Sequence, residues 1–179
     1  MKYLQIFHTC LLPEPAKVPP MVLRVDEKGW RVNSNKGPAR QQTGPKQEEI
    51  EKQVSGMLKN NVLRISQAEY YSQAHLTPKP EGKWRFCLDY RKFNMVCEGM
   101  GWPLPNIQHM IQRLGKKKPK YFAKIDLTSG YHQAPLHENS RVYTAFITFM
   151  GIFEWLRVPM GLKEAPAYFQ SILATIVLA

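Results

Sequence analysis

The chain has 179 residues, with 25 Lys and Arg against 14 Asp and Glu, giving a formal net charge of +11. That length supports one substantial core, and the charge favours a polyanionic partner, either nucleic acid or an acidic membrane surface. No apolar run approaches the roughly 20 residues needed to span a bilayer, so nucleic acid is the better match.

The amino end, Tyr3 to Leu12, is fairly apolar, but Gln5, His8 and Thr9 interrupt it and no small-residue cleavage site is clear, so a secretory signal is not expected. Cys10, Cys87 and Cys97 form no C-x-x-C pair and no disulfide framework. A reducing, intracellular setting follows, and a zinc site does not. Residues 13 to 45 are rich in Pro, Gly, Asn and Lys without a sustained period and read as connecting or poorly ordered chain. Residues 1–37 are expected to be a poorly ordered or linker-like N-terminal segment.

Regular structure is predicted from Pro45, which suits a first helical turn. Ile50, Val54, Met57 and Leu58 follow at helical spacing, and Asn60-Asn61 makes a stop. Trp84 to Leu88 reads as a strand with Trp84, Phe86 and Leu88 on one face and Arg85 and Cys87 on the other. Lys79, Lys83, Arg85, Arg91 and Lys92 are interleaved here with Trp84, Phe86, Tyr90 and Phe93, a mixture suited to phosphate contact and base stacking. Pro105 opens a short helix whose Ile107, Met110, Ile111 and Leu114 form an apolar stripe ending at Gly115. The basic run Lys116 to Lys118 falls in the connection that follows.

The next predicted strand alternates Tyr121, Ala123, Ile125 and Leu127 with Phe122, Lys124 and Asp126, so the acid points away from the aliphatic face. A carboxylate held near a core needs a cation, donors or a proton. Magnesium, which takes one or two such oxygens plus substrate phosphates, would serve. An ordinary strand-end acid paired with a Lys would look the same. Thr144 to Phe149 and Ile152 to Val158 read as two strands joined around Gly151, and a last helix begins near Pro166 with Phe169, Ile172, Leu173 and Ile176 on one stripe. Strands and helices mixed without regular β-α-β alternation predict an α+β fold.

Five blocks stand in a fixed order: Lys79 to Asn94; Trp102-Pro103-Leu104-Pro105 with Ile107; Phe122 to Gln133 around Asp126; Tyr143-Thr144-Ala145-Phe146 with Gly151 and Glu154; and Arg157 to Gln170. Together they resemble the reverse transcriptase of gypsy-type LTR retrotransposons over roughly residues 38 to 179. The resemblance implies the fingers and part of the palm of a right-hand polymerase, acting on an RNA or DNA template-primer and dNTPs inside a larger polyprotein. It implies RNA-directed DNA polymerisation by two-metal nucleotidyl transfer. Asp126 and the main-chain carbonyl of Leu127 would ligate Mg2+. Lys79 and Arg85 would hold the triphosphate, Tyr131 would stand under the sugar as a steric gate, and Gly161 would admit the nucleotide against the backbone. Met160 would touch sugar or base, and Gln170 would steady the site from the last helix. His132 and Gln133 belong to the motif but receive no chemistry.

The sequence departs from the family where it matters most: it contains no Asp-Asp pair, and so no Y-x-D-D segment to supply the remaining metal carboxylates. Thumb, connection and RNase H regions are also not among its 179 residues. The expectation is a reverse transcriptase fragment that is inactive by itself; the alternatives are a non-catalytic nucleic-acid-binding module and a degenerate retrotransposon relic.

Overall fold

The structure is a computed structural model that describes residues 10–178. Most of the apolar amino end therefore lies outside the described residues. A short helix α1, Glu27–Trp30, is capped by the Asp26 side chain, which accepts from the Lys28 N–H. Helix α2, Gly44–Lys59, starts after Thr43 with Pro45 in its first turn and closes on Asn60; it buries Ile50 and Val54, two of the residues whose spacing predicted it.

Strand β1, Leu63–Ile65, and strand β2, Ser72–Pro78, come next, followed by β3, Trp84–Asp89. Only β3 is apparent from the apolar pattern. In β2 the inward positions are Ser72, Ala74 and Leu76, too small and polar a set to register as a buried face. Helix α3, Arg91–Val96, buries Phe93, and helix α4, Ile107–Lys117, is capped by Asn106 and ends on a left-handed Lys118. Two single-turn helices, α5 at Gly130–Gln133 and α6 at Glu138–Arg141, precede the hairpin of β4, Phe146–Thr148, and β5, Gly151–Trp155. Helix α7, Ala165–Leu178, completes the described chain.

The five strands form one sheet in the order β1-β5-β4-β2-β3. All neighbours are antiparallel except β2 and β4, which run parallel through Ser72↔Phe146 and Gln73↔Ile147. Gly151 turns the hairpin with φ +125, a region open to glycine because it lacks a Cβ. Phe146 lies at the centre of the core, packed on Phe86, Phe153 and Trp155.

Two expectations are corrected. The stretch expected to be linker-like is packed over much of its described length: Met21 bridges Leu136, Val25 bridges Cys97, and Met21, Leu23 and Trp30 are buried in the same core as the sheet. Its sequence looks weak because every pairing is long-range, and a polar stretch can still present Met21, Leu23 and Val25 at period two. Conversely, residues 121–127 do not form a strand. Tyr121 is 92% and Ile125 86% exposed, and no strand among the described residues pairs with them. Alternation defines a face, but a strand exists only when a neighbour completes its hydrogen bonds. The apolar stripe of α4 is likewise formed as a helix and left in solvent, with Ile107 71% and Ile111 62% exposed.

Candidate active site

Tyr131 is carried by α5, a single turn entered through a left-handed Ser129 at φ 49. The ring of Tyr131 meets Phe169 of α7 edge-on at 5.1 Å, a favoured arrangement of aromatic quadrupoles. The approach is close enough that a Cβ on Gly130 would stand 3.2 Å from the Phe169 ring. Gln170, the residue after Phe169, is half-buried on the same helix. Gln133 closes the turn from the other side, donating to the Thr128 carbonyl at 2.8 Å.

Met160 and Gly161 lie on the loop from β5 to α7. Met160 is exposed, and Gly161 has φ +96, with Tyr90 3.4 Å from where a Cβ would sit. The loop is held at both ends. At its start, His132 Nδ1 lies 3.0 Å from the Val158 carbonyl; because a carbonyl only accepts, the imidazole carries its proton on Nδ1. At its end, Asn94 donates to the Gly161 carbonyl at 2.9 Å and accepts from the Lys163 N–H at 3.0 Å. Burial, with the nearby Arg157 cation, lowers the His132 pKa and favours the neutral ring.

Behind this loop sits Arg157, a cation 1% exposed. It donates to the carbonyls of Asn61 at 3.2 Å, His132 at 3.2 Å, Asn60 at 3.5 Å, and Pro13. One guanidinium thereby joins the N-terminal segment, the end of α2 and the turn bearing Tyr131, using the fan of donors that only Arg offers. Sequence reasoning missed this residue. An Arg after an apolar strand reads as solvated, and backbone carbonyls leave no sequence signal.

The β2–β3 hairpin carries the other sequence-predicted cations. Lys79 and Arg85 are both exposed, Arg85 pairing in register with Thr77. Asp89, at the far end of β3, is clamped by Arg91 at 2.7 Å and Arg40 at 3.0 Å. Those bonds, Arg91 foremost, hold its carboxyl well below the usual aspartate range. Arg40, His75, Asp89, Arg91, Asn94 and Gly161 line a shallow open groove of about 310 Å³ beside the Gly161 loop.

The structure thus brings Tyr131, Met160, Gly161 and Gln170 onto elements linked through Phe169 and His132. Lys79 and Arg85 stand on a separate hairpin. Asp126 and Leu127, expected at a strand end, lie in exposed coil. Among the described residues no three His, Cys, Asp or Glu side chains come together as a metal site. A single exposed carboxylate with one carbonyl does not by itself fit a two-ion centre. No described helix is long and apolar enough to cross a membrane.

Residues 77–178 match the family model for reverse transcriptase (RNA-dependent DNA polymerase). The retrovirus-related Pol polyprotein from transposon 297 of Drosophila melanogaster is 40% identical over 134 residues, covering 72% of this chain and 12% of the polyprotein. The Tf2-3 transposon polyprotein of Schizosaccharomyces pombe is 29% identical over 168 residues, covering 93% of this chain and 12% of that polyprotein. In three dimensions the chain resembles a foamy viral protease-reverse transcriptase solved with an RNA/DNA hybrid. The TM-score is 0.71 at 22% identity, covering 92% of this chain and 21% of that one. The chain spans about an eighth of the length of these curated relatives.

Proposed function

The chain belongs to the reverse transcriptase (RNA-dependent DNA polymerase) family, and we propose that it is the fingers and partial palm of a gypsy-type LTR-retrotransposon polymerase, working as part of a longer intracellular polyprotein. The observation that carries this reading is the grouping of Tyr131, Met160, Gly161 and Gln170 through one ring contact and one hydrogen bond.

In this reading a dNTP lies against the Gly161 backbone, where the lack of a side chain permits close approach. The edge of the Tyr131 ring limits the space at the sugar 2′ position, so a ribose hydroxyl would collide. Lys79 and Arg85 reach the triphosphate from the β2–β3 hairpin, a point charge and a planar fork suited to its oxygens. Met160 contacts sugar or base, and Gln170 steadies the site from α7. Asp126 and the Leu127 carbonyl would be only this chain's share of a Mg2+ centre completed by other carboxylates, and magnesium bound there would supply charge stabilisation for nucleotidyl transfer. The further carboxylates that such a centre needs come from outside these 179 residues, so the isolated chain binds substrate without polymerising it.

Primer extension on an RNA template with the purified 179-residue chain, dNTPs and Mg2+ tests this. No incorporation is expected; incorporation abolished by Asp126→Asn would overturn the claim that a second carboxylate source is needed. A non-catalytic nucleic-acid-binding module is the second reading, favoured by the exposed, coil-borne Asp126. Restoring a Y-x-D-D-bearing extension separates the two, because only the polymerase reading predicts recovered synthesis.

A further inference from the structure

His132 occupies a position that the proposed chemistry leaves unused. Its ring lies 4.9 Å from the Trp155 ring at an interplanar angle of 15°, stacked on the end of β5. Its Nδ1–H reaches the Val158 carbonyl at 3.0 Å. Its own carbonyl accepts from Arg157 at 3.2 Å, and its N–H bonds to the Ser129 carbonyl at 2.8 Å. Its Nδ1 and its carbonyl thus join α5 to the chain at Arg157 and Val158, while its N–H closes the turn of α5 itself.

Val158 is held on both sides, its N–H donating to the Ala134 carbonyl at 3.0 Å and its carbonyl accepting from His132, and it is the second of these bonds that lies on the side of the Met160–Gly161 loop. The next residue, Pro159, is buried and has no N–H to donate, and further along the loop Asn94 donates to the Gly161 carbonyl. On the other side, His132 directly follows Tyr131. One imidazole thus spans from the residue bearing the gate ring to the root of the loop bearing Met160 and Gly161.

We infer that His132 is a positioning residue for sugar selection: its Nδ1–H to Val158 bond sets the spacing between the Tyr131 ring and the Gly161 loop. The inference rests on the nucleotide-site reading given above. The neutral, Nδ1-protonated ring is the form that does this; Nε2 carries no part of the bond. Tyr131 touches the nucleotide, and His132 acts only through where it holds Tyr131 and the loop.

The test compares binding of dATP and ATP to the full chain by calorimetry, for wild type, His132→Phe and His132→Asn. Phenylalanine keeps the ring stack on Trp155 and removes the donor. Asparagine loses the stack but keeps an N–H close to the Nδ1 position. The wild type should prefer dATP; the preference should be largely lost in His132→Phe, since a misplacement of about 1 Å can cost on the order of a hundredfold, and return in His132→Asn. Thermal melts accompany each variant, and where His132→Phe fails to fold, His132→Gln, which shifts the donor away from Nδ1, replaces it. A wild type indifferent between dATP and ATP overturns the gate reading and this inference together. A discriminating wild type with unchanged His132→Phe, or a His132→Asn as defective as His132→Phe, overturns the inference alone.

Discussion

Replacing Arg157 by Met should destabilise the fold by about 2 kcal/mol, a figure that follows from two opposed effects. Methionine keeps an apolar stem of similar length but gives up the bonds to Asn60, Asn61, His132 and Pro13. Hydrogen bonds from a charged donor contribute about 1.5–3 kcal/mol each, and a buried acceptor left unpaired costs about 1–3 kcal/mol. Asn60, Asn61 and Pro13 are exposed residues, so water replaces much of what their carbonyls lose. The His132 carbonyl is less accessible and keeps most of its penalty. Against this, the variant no longer holds a desolvated cation in the core, a cost of several kcal/mol per ion before its hydrogen bonds compensate it. The bonds should prevail, because four carbonyls surround this one group. For a chain of this size about 2 kcal/mol corresponds to a fall in Tm of roughly 4–8 °C, readable by circular dichroism with a urea titration at neutral pH. An unchanged or raised Tm would show that desolvation outweighs the carbonyl cage, and the clamp would have no structural force.

Trp30→Ala should cost about 3–5 kcal/mol, as expected for a buried aromatic, since Trp30 is 3% exposed and meets Phe93 edge-on at 5.4 Å; a urea midpoint equal to wild type would return residues 18–37 to linker status. For Asp89 the folded carboxyl is held below its ordinary value by Arg91 and Arg40. The unfolded chain then binds the proton more readily, and the ion pairs' contribution is present above the unfolded pKa and lost as pH falls through and below about 4. Urea midpoints from pH 7 to pH 3 should thus fall more steeply for wild type than for Asp89→Asn; parallel curves would contradict the clamp.

Elements whose cause is local were legible in the sequence. α2 has a proline start and a three-four spacing, β3 an alternating face, the β4–β5 hairpin a glycine turn, and α7 a proline in its first turn. What escaped depends on distant partners. β1 is three residues long and exists because it pairs with β5. Met21, Leu23 and Trp30 are core residues only because Leu136, Cys97 and Phe93 meet that stretch from across the fold. Residues 121–127 show the converse: the alternation is clear, yet no described strand lies beside it, so Asp126 stays in solvent. At the site, Tyr131 and Gly161 are visible from the resemblance, whereas Arg157 and His132 act on backbone carbonyls, which every residue has.

Nucleic-acid binding tests the central claim most directly. Fluorescence anisotropy of a labelled RNA/DNA duplex, titrated with the chain across a salt series, should show binding whose log affinity falls linearly with log salt. The slope should be about 0.9 per phosphate contact. Binding absent at low salt, or indifferent to salt, would contradict the assignment of this chain to the template-primer and nucleotide face of a polymerase.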